Sequence, residues 1–195
     1  MDATSGRHAA LMTDGRRRAL TRALFAAALA TGLLAATAGS AVAATCTGAG
    51  AVQNKSYTVV HAANPLVEIH MVDLTGHIGE GDTISASFTT DCATPVQVTL
   101  VSYYAPGATF DRSTAYRQRI ATYSSGTFSA GTHTSALTVV TPPCQFQIDL
   151  VQGEAIQKFG YGPGGEGFYS DQLRLVDAAN GGTHACPTPP LGPVE

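Results

Sequence analysis

Four cysteines are the most chemically distinctive side chains of this 195-residue chain: Cys46, Cys92, Cys144 and Cys186. A thiolate can hold a metal, attack an electrophile or oxidise to a disulfide. Spacings of 46, 52 and 42 residues contain no Cys-x-x-Cys pair of the kind a zinc site uses. An even count behind an export-type N-terminus points to two disulfides, with three connectivities open. Strand parity selects among them. Ile84, Ala86, Phe88 and Cys92 share one face of a run, and Cys144, Phe146, Ile148 and Leu150 share one face of another. Both cysteines thus point where core residues point, so the expected bridges are Cys92–Cys144 and Cys46–Cys186.

Other chemistries find less support. No Gly-x-Ser-x-Gly elbow is present, and Ser170-Asp171 has no His in a recognisable context. A glycosidase needs two acids flanking a cleft. Most of the carboxylates read as turn residues, and Asp149, the exception, interrupts a strand on its solvent-facing side. Glu68 and His70 share the outward face of one strand, where a solvated surface is the expectation. Asp73, Glu80 and Asp82 lack the regular spacing of an EF-hand calcium loop. No cofactor and no catalytic residue are therefore expected. Asn54-Lys55-Ser56 is an N-glycosylation sequon in a glycosylating host.

Aromatic side chains offer stacking faces for a ligand. Tyr103, Tyr104, Phe110 and Tyr116 form one group. The segment FGYGPGGEGFY (Phe159–Tyr169) packs five glycines among Phe159, Tyr161, Phe168 and Tyr169. No helix follows it and no phosphate-binding Lys stands at a strand-to-helix junction, so it reads as a crossover loop with aromatic anchors. Tyr161, Phe168, Tyr169 and Tyr103 are the candidate ligand-binding residues. The absence of Trp weakens a carbohydrate-stacking role.

The elements that must position these groups are short alternating runs broken by Gly, Pro, Asp and Asn. Eight strands are expected at Ser56–His61, Leu66–Val72, Thr83–Thr90, Val96–Tyr104, Arg117–Tyr123, His133–Thr141, Cys144–Val151 and Leu173–Asp177. Val96, Val98 and Leu100 alternate with Gln97, Thr99 and Val101, the period of a sheet with one wet face. Ser124–Gly126 and Ala130–Thr132 are expected to bracket a hairpin turn. The predicted fold is an all-β, antiparallel, immunoglobulin-like β-sandwich over residues 44–186.

Residues 1–43 read as a secretory signal peptide. Arg16, Arg17, Arg18 and Arg22 precede an apolar run, Ala23–Ala38, and Ala41-Val42-Ala43 supplies a small-x-small cleavage pattern. Residues 187–195, PTPPLGPVE, read as a Pro-rich tail. Charged residues make up 13%, about half the usual share of roughly 25%. Without residues 1–43 the 11 basic side chains fall to six and the 14 acidic ones to twelve, a net −6. That balance excludes the basic stripes of nucleic-acid binders. No later apolar run reaches 18 residues, so no membrane span is expected after signal removal.

Four phrases together carry a resemblance: HMVDLTGHIGEGDTISASFTTDC (His70–Cys92), PVQVTLVSYYAPGATFD (Pro95–Asp111), FSAGTHTSALTVVTPPCQFQIDLVQG (Phe128–Gly153) and RLVDAANGGTHAC (Arg174–Cys186). The chain resembles a family of exported and cell-wall-associated β-sandwich domains from high-GC Gram-positive bacteria (actinobacteria). The resemblance implies architecture and location, with no catalytic residues to carry over. Such domains resemble one another in a Thr/Pro-rich spacer and a sortase signal, and residues 187–195 hold no LPxTG-like motif. Secretion or non-covalent surface association is the expectation. The sequence thus reads as a non-catalytic interaction or adhesion module whose partner is an extracellular glycan or surface protein. A carbohydrate-binding module is the alternative, and an extracellular hydrolase the least favoured one.

Overall fold

The computed structural model describes residues 46–187. Residues 1–45, with the expected signal peptide, and residues 188–195 of the expected tail lie outside the described residues. Eight strands follow in order: β1 (Gln53–Val60), β2 (Glu68–Met71), β3 (Thr83–Thr90), β4 (Val96–Tyr104), β5 (Arg119–Phe128), β6 (Gly131–Val140), β7 (Phe146–Gln152) and β8 (Leu175–Gly181). Every expected strand is present, and all pairings are antiparallel. The strands form two sheets, β2-β1-β3-β6 and β5-β4-β7-β8. No helix among the described residues is long and apolar enough to cross a membrane.

Alternation builds the interior. Tyr57, Val59, Ile84, Ala86, Phe88, Leu137 and Val139 of the first sheet meet Val98, Leu100, Phe146, Ile148 and Leu150 of the second in one buried cluster. Removing such a side chain costs about 2–5 kcal/mol. β3 and β4 keep their expected bounds, and the other six strands shift at their ends, most of all at the β5–β6 hairpin. Ser124–Gly126 is strand, not turn: it pairs with Val98, Thr99 and Leu100, and Thr99 and Ser125 join their hydroxyls at 2.8 Å. The hairpin turn sits at Ser129–Ala130 instead. The open edges of β5 and β6 are joined by Thr122, whose Oγ1 donates to the Val140 carbonyl at 3.0 Å.

The disulfides are Cys46–Cys92 and Cys144–Cys186, not the expected Cys92–Cys144 and Cys46–Cys186. Parity was right about the face: Cys92 and Cys144 are both buried. It carried no information about height. The Thr141 N–H donates to the Asp82 carbonyl, so the chain entering β7 lies beside the start of β3. Cys92 follows the end of β3, eight residues and about 25 Å away. Antiparallel register brings the nearer partners together. Gln53 faces Thr89, which puts Cys46 by Cys92, and Phe146 faces Gly181, which puts Cys144 by Cys186.

Candidate functional site: an aromatic pocket over the second sheet

The outer face of the second sheet is not wet. The chain from Gly153 to Arg174 folds across it, and Val101, Tyr103 and Val151 pack there with Ala155, Ile156, Phe159, Phe168 and Tyr169 in a second buried cluster. Asp149 therefore has no exposed surface, which corrects its assignment to the solvent side. Gln147 Nε2 donates to both Asp149 carboxylate oxygens, at 2.8 and 2.7 Å, and Gln118 Nε2 donates to Gln147 Oε1 at 2.7 Å. Burial pushes the Asp149 carboxyl up to about 7, against the lowering effect of Gln147.

Glycine chemistry shapes the cover. Gly160 and Gly167 exchange both backbone hydrogen bonds, at 3.1 and 2.8 Å. A Cβ on Gly165 would stand 2.3 Å from the Gly160 carbonyl oxygen, so no other residue fits. Glu166 Oε1 accepts the N–H groups of Gln157 and Lys158 at 2.9 and 3.1 Å. Arg174 clasps the base of the loop, donating to the Gln152 and Glu154 carbonyls and to Gln172 Oε1. Inside, three bonds close a ring. The Ile156 N–H donates to Tyr169 Oη, the Tyr169 hydroxyl donates to Tyr103 Oη at 2.7 Å, and the Tyr103 hydroxyl donates to the Ile156 carbonyl at 3.0 Å.

The cover leaves a cavity of about 130 Å³, walled by Phe110, Phe159, Phe168, Tyr169 and Leu175, with Gln147, Ser170 and Asn180 as its polar lining. Phe110 meets Phe168 edge-on at 6.2 Å. At the rim, Arg112 pairs with Asp171 and lies 4.3 Å from the Phe168 ring centre. The Tyr161 hydroxyl donates to Asp171 Oδ2 at 2.6 Å. These bonds, from Tyr161 first and then Arg112, hold the Asp171 carboxyl below its ordinary range.

The structure thus joins the two aromatic groups that are separate in sequence. Of the four candidate ligand-binding residues, Tyr103 is fully buried, Tyr169 and Phe168 are 2% and 6% exposed, and only Tyr161, at 72%, faces solvent. Sequence reasoning missed Asn180, Gln147 and Arg112, which show no motif. The carboxylates weighed for calcium go separate ways. Asp73 accepts from Thr75 N, Asp82 from Gly79 N and Ala62 N, and Glu80 from Thr183 N and His184 N. On the first sheet, Glu68 and His70 line an open cleft of about 550 Å³ with Asn54, Ser56, Thr58 and other hydroxyl side chains. Comparison with protein-family models, curated proteins and solved structures found no match.

Proposed function

We propose that this chain is an exported, non-catalytic interaction module that engages an extracellular partner through the aromatic pocket of its second sheet. The observation that carries this reading is the pocket itself: an apolar hollow with few polar groups, rimmed by Arg112, Asp171 and Tyr161. Binding is favoured over turnover because Asp149, the buried acid of this sheet's outer face, has no exposed surface and does not line the pocket. Two disulfides suit an oxidising compartment, in keeping with export by residues 1–43 and with an extracellular or wall-associated location. We read the strand order as immunoglobulin-like, with β1-β3-β6 as A-B-E and β5-β4-β7-β8 as C′-C-F-G, while β2, on the outer edge of β1, lies outside that scheme.

The hydroxyl-lined cleft on the first sheet favours a second reading, a carbohydrate-binding module. An array of glycans and surface proteins, probed with the disulfide-bonded protein, separates the two. A protein ligand whose binding falls at least tenfold on Phe168→Ala supports the pocket reading. A glycan ligand sensitive to His70→Ala and indifferent to Phe168→Ala supports the cleft and overturns it.

A further inference from the structure

We infer that the pocket is a socket for the phenol ring of a tyrosine presented by an acidic segment of a partner protein. This deepens the proposed function and rests on it. Size is the first ground. Cavities of about 150 Å³ lined by apolar side chains hold benzene, and this one, at about 130 Å³, has room for one six-membered ring. Wall chemistry is the second. Phe110, Phe159 and Phe168 offer edges and faces to a planar ring. A sugar would bring several hydroxyls into a wall that is largely apolar, and most would go unpaired.

The third ground is one acceptor. Both Nε2 hydrogens of Gln147 go to Asp149, and its Oε1 is taken by Gln118. Asn180 Oδ1 is buried and has no hydrogen-bond partner among the described residues. Asn180 also lines the cavity, so a turn of its amide would present this oxygen to a ligand with one O–H donor at the end of an apolar ring, the form of a tyrosine side chain. The fourth ground is charge. The segment whose Phe110 forms a wall also carries exposed Arg112, Arg117 and Arg119, half of the six basic residues beyond residue 43, together with exposed Tyr116. Arg and Tyr dominate binding hot spots, and with Arg112 paired to Asp171 it is Arg117 and Arg119 that favour acidic flanks on the partner.

The test is 15N and 13C NMR titration of the disulfide-bonded protein with p-cresol, toluene, methyl glucoside and two peptides, Glu-Glu-Tyr-Glu-Glu and its Phe counterpart. The expected result is saturable shifts at the Asn180 amide and Ala178 with p-cresol, about tenfold tighter than with toluene. The Tyr peptide should bind tighter than p-cresol, lose affinity with salt, and exceed its Phe counterpart by the same factor. Asn180→Leu should equalise p-cresol and toluene while toluene still binds. Ala178→Phe should abolish both, with the remaining spectrum intact. Equal affinity of p-cresol and toluene in the unsubstituted protein, shifts outside the pocket, or methyl glucoside displacing p-cresol would overturn the inference. So would a Tyr peptide no tighter than p-cresol. An array ligand that ignores Asn180→Leu but needs Phe168 would sink the phenol socket alone; an array with no protein ligand would sink the proposed function.

Discussion

Asp149 is a carboxyl with no exposed surface, tied to one amide and held up at about 7 by burial. An ordinary aspartate titrates near 4. Between those two values the folded chain holds a proton that the unfolded chain releases. By linkage, this group makes stability fall as pH rises from about 4 to about 7, on the order of 4 kcal/mol in all. Asp149→Asn removes the titration and keeps an acceptor for Gln147. Urea unfolding at pH 5 and pH 8 should show the wild type losing stability across that interval and the substituted protein losing markedly less. At pH 8 the substituted protein should be the more stable one. Parallel profiles would mean that the buried charge carries no such cost. Alternation correctly placed Asp149 opposite Phe146, Ile148 and Leu150. It could not report what covers that side, because a covering loop leaves its mark in other residues.

Those marks are present at the scale of elements. β4 reads VQVTLVSYY, and its second face carries Thr99, Val101 and Tyr103, too apolar for a wet surface. The loop from Gly153 to Arg174 supplies the matching aromatics, so the cover was legible as a composition and not as a contact. Its anchor was not legible at all: Arg174 fell inside the expected strand Leu173–Asp177, whereas β8 begins at Leu175. Its guanidinium donates from Nε, Nη1 and Nη2 in three directions, to the Gln152 carbonyl, Gln172 Oε1 and the Glu154 carbonyl. A lysine ammonium cannot reproduce that fork. Arg174→Lys should therefore loosen the loop without unfolding the sandwich. Amide hydrogen exchange is expected to accelerate at least tenfold across residues 155–172, with β1, β3 and β6 unchanged. Uniform acceleration in all strands would place Arg174 in global stability instead.

At the scale of the whole molecule, the two disulfides fasten opposite ends of a two-layer stack, each closing the mouth of one sheet. Periodicity in single strands reports which face a cysteine takes, and register between strands decides its height, so the connectivity was beyond reach of a single sequence. Non-reducing peptide mapping should recover Cys46–Cys92 and Cys144–Cys186. The two bridges close loops of 46 and 42 residues, each stabilising by about 4 kcal/mol in the chain-entropy model. Their functional consequences should differ although their energies match. Neither Cys46 nor Cys92 adjoins β7 or β8, and their one link to the pocket is Thr47–Gly50, which lies beside Ser170 and Leu175, so replacing both by Ala should lower the unfolding midpoint while p-cresol still titrates Asn180. Cys186 secures the end of β8, five residues beyond Gly181, and β8 carries Ala178 and Asn180 on the pocket wall. Replacing Cys144 and Cys186 should cost a similar amount and also weaken p-cresol binding, because β8 is an edge strand held on one side only, by β7. If both double substitutions leave ligand affinity alone, the pocket wall is held by the β7–β8 ladder without help from the bridge.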